Sequence, residues 1–157
     1  MTVITHARRK SNLGKLIDTP GGVSVGVAVA RATANIEAKR SEAAAVVEAQ
    51  IAALEAAAPP TGIEDQPARL AEAYRLANAV IDAASPFELV DLCRAASGLC
   101  DLIDGAKPDQ LFDWRIVTVH ARSLRLLQTL PLDASDARTK VLDSLREVLE
   151  RKLSSPD

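Results

Sequence analysis

His120, one of two histidines in the chain, is the residue whose type and position most invite a chemical role. It stands inside a segment with helical patterning, between Val119 and Ala121. A histidine on a helix can accept a phosphoryl group when its ring is exposed and basic side chains lie close enough to hold the phosphate oxygens. His120 is therefore a candidate phosphoacceptor, and exposure of the imidazole is the observation that tests this hypothesis.

The neighbours of His120 favour a structural role. At about 100° of rotation per residue, the side chains that share its helix face are all apolar. They are Ile116, Val117, Leu124 and Leu127. Histidine phosphotransfer domains tend to carry a basic residue and a glycine three and four positions after the histidine, where this chain has serine and leucine. We therefore predict a hydrogen-bonded histidine in the core or at its edge.

Basic side chains gather on another face of the same segment. Arg115, Thr118, Arg122 and Arg125 fall on one side of a helix, and this arginine ridge points roughly away from the histidine. One interpretation is a solvated surface whose charges pair with neighbouring helices, and the other is a docking ridge for an acidic partner. Trp114, the only tryptophan, precedes the ridge and is either an anchor for the loop or an exposed binding residue. The candidate partner-binding residues are Trp114, Arg115, Arg122 and Arg125.

No other residues have the spacing of a catalytic, metal or cofactor site. Cys93 and Cys100 are seven positions apart, about 10 Å along a helix, which is too far for a disulfide. The two histidines and two cysteines lack metal-ligand spacing. Gly21 and Gly26 have the spacing of a phosphate-binding loop, but Val27 stands where lysine should follow. We therefore expect no metal, no cofactor and no catalytic residue beyond the histidine alternative.

Composition limits the class of protein. The 157 residues fit one domain, with 48% hydrophobic and 3% aromatic residues. A net charge of −2 argues against a general nucleic-acid binder. No apolar run reaches the roughly 18 residues that a membrane-spanning helix needs. The expectation is a cytoplasmic protein that binds no nucleic acid and does not insert into membranes.

Prolines and glycines divide the chain into helical segments. Pro59-Pro60, Ser85-Pro86 and Pro131 interrupt the helical patterns. Asp65 and Asp133 are expected to cap the helices that follow them. The predicted helices cover 23–58, 65–84, 85–104, 109–130 and 133–153.

These helices predict an all-α, up-and-down bundle of four to five helices with a long first helix. The bundle domain covers 21–153, between a flexible basic segment at 1–20 and a frayed tail at 154–157. The first helix carries an apolar stripe and would extend about 50 Å. The stripe consists of Val29, Ile36, Ala43, Val47, Ile51 and Leu54. A helix of this length must outreach its neighbours, bend or pair with a second chain, so a homodimer through residues 23–58 is one expectation.

Several stretches resemble a known family. They are 85–93, its continuation 96–104, the run 112–127, Gly21-Gly22 and Asn35-Ile36-Glu37. Together they resemble the small alphaproteobacterial chemotaxis accessory proteins called CheE. The likeness is best over 85–127 and extends loosely from about 11 to 150. It implies a role around response regulators or the chemosensory complex, without enzymatic activity, and it transfers no active-site residue.

Three hypotheses about function follow. The first is a non-catalytic helical adaptor in bacterial chemotaxis or two-component signalling that docks a response-regulator-type partner through the arginine ridge. The second is a divergent histidine phosphotransfer protein that uses His120. The third is a structural helical dimer built on the first helix.

Overall fold

The computed structural model describes residues 22–153, which form six α-helices and no β-strand. The helices are α1 (Val25–Glu37), α2 (Arg40–Ala56), α3 (Gln66–Ala84), α4 (Val90–Asp104), α5 (Arg115–Thr129) and α6 (Ser135–Leu153). A 3-10 turn over Ser85–Phe87 follows α3. The prediction of an all-α chain is confirmed. The predicted flexible segment 1–20 and frayed tail 154–157 lie outside the described residues.

The predicted single helix over 23–58 is wrong, because a turn at Ala38 and Lys39 separates α1 from α2. The predicted apolar stripe is buried only in its second half, at Val47, Ile51 and Leu54. Most helical stability in proteins comes from packing of an apolar face rather than from propensity. Since the first half of the stripe is not buried, no core contact there enforces one continuous helix.

The described residues divide into two compact units, 22–36 and 37–153. In the first unit, α1 has no buried side chain. Val25, Val29 and Ile36 lie on one face of α1 at helical spacing, and all three are exposed. In the predicted homodimer through residues 23–58, this exposed aliphatic face would be available to pack against a second chain.

In the second unit, α2 to α6 enclose the hydrophobic core of the described residues. α2 packs against α3 and α5, α4 packs against α3, α5 and α6, and α5 also touches α6. Large side chains at the centre are fully buried, among them Ile51, Leu99 and Leu124. The core has many alanines, such as Ala73 and Ala96, so neighbouring helices can approach closely.

Two predicted helix starts need correction, because the residues before each helix adopt other conformations. α4 begins at Val90 rather than residue 85, because Ser85–Phe87 forms the 3-10 turn and Glu88 adopts a left-handed backbone with φ of 57°. α5 begins at Arg115 rather than residue 109. There the buried Gln66 side chain holds the loop, accepting the Phe112 N–H at 2.7 Å and donating to the Gln110 carbonyl at 3.0 Å.

Asp65 precedes α3 as predicted, but its carboxylate does not cap that helix. It accepts the backbone N–H groups of Thr61 and Gly62, each at 3.0 Å, and so closes the preceding turn. These two hydrogen bonds lower the pKa of Asp65. α6 begins at Ser135, two residues after the predicted cap Asp133.

The sequence predicts an apolar stripe for α3 at Leu70, Tyr74, Ala77 and Ile81, and the structure buries two of its members, Leu70 and Ala77. Tyr74 is exposed and Ile81 is only half-buried. The buried side chains include Leu70, Ala73 and Val80.

Candidate functional site

Trp114 lies immediately before α5 and anchors the beginning of that helix. Its side chain is half-buried against the core, and the indole Nε1–H donates to the Ala57 carbonyl at 3.3 Å. Ala57 follows the last residue of α2, so this hydrogen bond joins the end of one helix to the start of another. The geometry therefore favours the anchoring interpretation of Trp114 over an exposed binding residue.

Arg115 projects into solvent, with 89% of its side chain exposed. Its guanidinium forms a two-pronged ion pair with Asp113 at 2.8 and 2.9 Å. Lys152 of α6 reaches the same carboxylate at 3.3 Å. The hydrogen bonds from Arg115 are the main reason that the pKa of Asp113 lies well below its usual range. Two cations share one anion here, so this end of α5 keeps a local positive charge.

Arg125 turns towards α2 instead of towards a partner. Its guanidinium pairs with Glu55 at 2.9 Å and also with Glu48. These carboxylates raise the pKa of Arg125, with the Glu55 hydrogen bond as the largest cause. Arg125 therefore neutralises charge between α2 and α5. This position corresponds to the charge-pairing interpretation of the arginine ridge, and it argues against Arg125 as a docking residue.

The exposed face of α5 combines charge with aliphatic surface. Arg115, Val119, Arg122 and Leu126 recur at spacings of four, three and four, which keeps them within about 60° of one another around the helix. Val119 is 44% exposed and Leu126 is 45% exposed. Arg122 is also exposed and makes no ion pair with any described residue. We call these four residues the outer stripe.

Sequence reasoning found the two arginines of the outer stripe and missed its two aliphatic members. The helical angle contained the signal, since Val119 and Leu126 fall beside Arg115 and Arg122 at 100° per residue. Apolar residues are usually assigned to the core, so their exposure became visible only once the helix was placed.

His120 is fully buried, on the opposite side of α5 from the outer stripe. A carbonyl can only accept a hydrogen bond, so its contact with the Ile116 carbonyl at 2.8 Å places the proton on Nδ1. Burial lowers the pKa of His120 and favours the neutral ring. The prediction of a hydrogen-bonded core histidine is confirmed. Burial argues against the phosphoacceptor hypothesis, because an acyl phosphate held on a folded partner protein cannot reach an imidazole enclosed between α4, α5 and α6.

Both cysteines are free thiols. Cys100 is buried and Cys93 is half-buried. Burial, with a smaller effect from Asp104 and Asp101, raises the pKa of Cys100 to about 11. Burial raises the pKa of Cys93 as well. Low thiolate content at neutral pH makes both side chains poor nucleophiles.

We expect Cys100 to react with iodoacetamide at pH 8 about 100-fold more slowly in the folded protein than in the unfolded chain. Its thiolate fraction falls about that much when the pKa rises from 9 to 11. Above pH 9 the unfolded thiol ionises first, so this residue makes folding less favourable as the pH rises towards 11. Mass spectrometry of the Cys93→Ser variant measures the rate, and equal rates in folded and unfolded protein would contradict the expectation.

The described residues contain no group of three or more His, Cys, Asp or Glu side chains arranged to hold a metal ion. Among the helices described in residues 22–153, none is long and apolar enough to cross a membrane. Comparison of the chain with protein-family models, with curated proteins and with solved structures returns no significant match in any of the three.

Proposed function

We propose that the chain is a non-catalytic helical adaptor of bacterial chemotaxis or two-component signalling that docks an acidic, response-regulator-type protein. The observation that carries the proposal is the outer stripe of α5, where Val119 and Leu126 are nearly half exposed and alternate with Arg115 and Arg122. The resemblance of residues 85–127 to the CheE proteins supports the pathway.

The chemistry of the outer stripe supports an acidic partner. Arg122 has no ion pair among the described residues, and Arg115 shares Asp113 with Lys152. A partner carboxylate would therefore meet available positive charge. Arginine is enriched in protein interfaces, and aliphatic side chains beside it supply the area that binding removes from water.

The proposal also includes an up-and-down arrangement of the helices and a cytoplasmic location. The packing of consecutive helices against one another, α2 on α3, α3 on α4 and α4 on α5, supports an up-and-down bundle. The composition supports a cytoplasmic protein. No step in the proposed function requires a metal or a cofactor.

Reversal of one charge tests the proposal. We expect Arg122→Glu to weaken binding of a purified receiver domain from the same cell at least roughly tenfold, because it puts a like charge against an acidic surface. Isothermal titration calorimetry measures the affinity. The matched control is Arg75→Glu, which reverses an exposed arginine of α3 outside the outer stripe.

Two outcomes would contradict the adaptor proposal. One is equal binding by Arg122→Glu and wild-type protein, and the other is no binding of any receiver domain by the wild-type protein. A phosphorylated receiver in the same experiment checks for group transfer. Acid-labile label on the chain that disappears in His120→Ala would favour the phosphotransfer hypothesis over a non-catalytic adaptor.

A structural homodimer through residues 23–58 is the second candidate, and the exposed face of Val25, Val29 and Ile36 favours it. Sedimentation of the free protein is therefore the control for the binding experiment. A micromolar dimer that Ile36→Glu dissociates would support this candidate, whereas a monomer would contradict it.

A further inference from the structure

A recess lies between α4, α5 and α6, away from the outer stripe. Its volume is about 290 Å³. Leu142, Leu145 and Leu149 of α6 supply an apolar wall, and Gly98 and His120 lie opposite on α4 and α5. Ligand pockets typically measure about 300 to 1,000 Å³, while one water takes about 30 Å³. The recess therefore has room for a small organic molecule.

One polar atom in this recess has no partner. The imidazole Nε2 of His120 is buried and makes no hydrogen bond with the described residues. Because Nδ1 donates its proton to the Ile116 carbonyl, the Nε2 of the neutral ring carries a lone pair and can only accept. Leaving a buried polar atom unpaired is unfavourable, so an O–H or N–H donor placed in the recess would stabilise Nε2.

Gly98 is the neighbour of that nitrogen on α4, and it places no side chain against it. A β-carbon at this position would lie 3.8 Å from His120 Nε2, which is ordinary van der Waals contact. A larger side chain at position 98 would therefore project towards the nitrogen and occupy the recess. The backbone conformation of α4 does not require glycine at position 98, so the missing side chain is a feature of the recess rather than of the helix.

Two arginines line the recess and are themselves exposed. Arg94 lies one helical turn before Gly98 and makes no ion pair or hydrogen bond with the described residues. Arg146 of α6 has 63% of its side chain exposed and is 3.4 Å from Asp143. Two guanidinium groups beside an apolar recess favour a ligand that carries an anionic group.

We propose that this recess binds a small organic acid. Its apolar body would lie against the leucines of α6, and a hydroxyl or N–H group would donate to His120 Nε2. Its carboxylate would pair with Arg94 and Arg146. The proposal does not depend on the adaptor function, because it uses none of the outer-stripe residues.

4-Hydroxybenzoate is a suitable probe, since it combines an apolar ring, a hydroxyl donor and a carboxylate at opposite ends. Nitrogen-15 NMR of the full chain with labelled histidines follows the imidazole directly. The spectrum contains His120 and His6, and His6→Gln assigns the two sets of signals. We expect millimolar probe to shift the His120 Nε2 resonance in a saturable way, because this nitrogen gains a hydrogen-bond donor.

Matched ligands and variants test each contact. Benzoate lacks the hydroxyl and is expected to bind roughly tenfold more weakly, as is 4-hydroxybenzoate to the double variant Arg94→Gln, Arg146→Gln. Gly98→Leu is expected to abolish the shift by filling the recess. Gly98→Ala adds one methyl group at ordinary contact distance, so it keeps the fold and should weaken binding by a smaller factor.

Three results would overturn the proposal. One is an unmoved His120 resonance in wild-type protein at about 20 mM probe, a concentration that would detect even weak binding. The second is an equal shift with benzoate, and the third is an equal shift in the double arginine variant. Either of these would show that binding does not use the proposed contact. The adaptor proposal is tested by receiver-domain binding at the outer stripe, which shares no residue with the recess. A negative result there would therefore leave the ligand test unaffected.

Discussion

Arg138→Met is expected to lower the free energy of unfolding by about 3 kcal/mol, because it breaks a buried ion pair and leaves several groups unpaired. The Arg138 side chain is 5% exposed, and its Nε donates to Asp91 at 2.6 Å. Its Nη1 also donates to the carbonyls of Leu127 and Leu130 at 2.8 and 3.0 Å. These carbonyls belong to the end of α5, where no further helical N–H is available to them. Arg138 thus joins α4, α5 and α6.

Urea unfolding followed by circular dichroism measures this effect. Asp91→Asn is expected to cost less, since Arg138 keeps both carbonyl acceptors. Arg75→Met is the matched control, because Arg75 pairs with Glu72 on an exposed surface and should leave stability nearly unchanged. A loss below about 1 kcal/mol for Arg138→Met would show that water replaces the lost hydrogen bonds and that the buried pair contributes little.

Gln66→Leu is expected to lower the free energy of unfolding by about 2 kcal/mol, because two backbone groups lose their partner. Gln66 is 2% exposed, and it bonds to the backbone at both Gln110 and Phe112. Leucine has a similar size but offers neither a donor nor an acceptor. The loop before α5 would then lose its attachment to α3, and the start of α5 would become less well defined.

Amide hydrogen exchange gives a local measurement of the same change. The Phe112 amide should exchange faster in Gln66→Leu, since its hydrogen bond to the glutamine is lost. Gln110→Ala is the matched control, because only the backbone carbonyl of Gln110 is used. Unchanged exchange at Phe112 in Gln66→Leu would contradict the proposed attachment.

The all-α class and the approximate position of most helices could be predicted from the sequence. Prolines at 59, 60 and 131 mark helix ends through local chemistry, and the structure ends α2 and α5 just before them. The long first helix was wrong because propensity through Ala38 and Lys39 is high, whereas packing decides whether a helix continues. The late start of α5 depends on Gln66, more than 40 positions away.

The candidate site shows the same limit. The apolar neighbours of His120 predicted its burial, since those neighbours lie on its own helix. The pairing of Arg125 with Glu48 and Glu55 joins residues about 70 positions apart, and nothing local identifies those partners. Nor could the sequence show that Gly98 lies against His120 Nε2. Helix-face arguments predict which side of a helix is apolar, and they do not predict which helix covers it.

The Trp114 anchor also gives the protein a built-in optical reporter. Trp114 is the one tryptophan of the chain, so the tryptophan fluorescence reports the environment of its indole at the junction between the start of α5 and Ala57. Detachment of that junction would expose the indole and move its emission to longer wavelength, while far-ultraviolet circular dichroism recorded the helices separately. A partner that docks beside Trp114 on α5 would therefore be detectable without any added label.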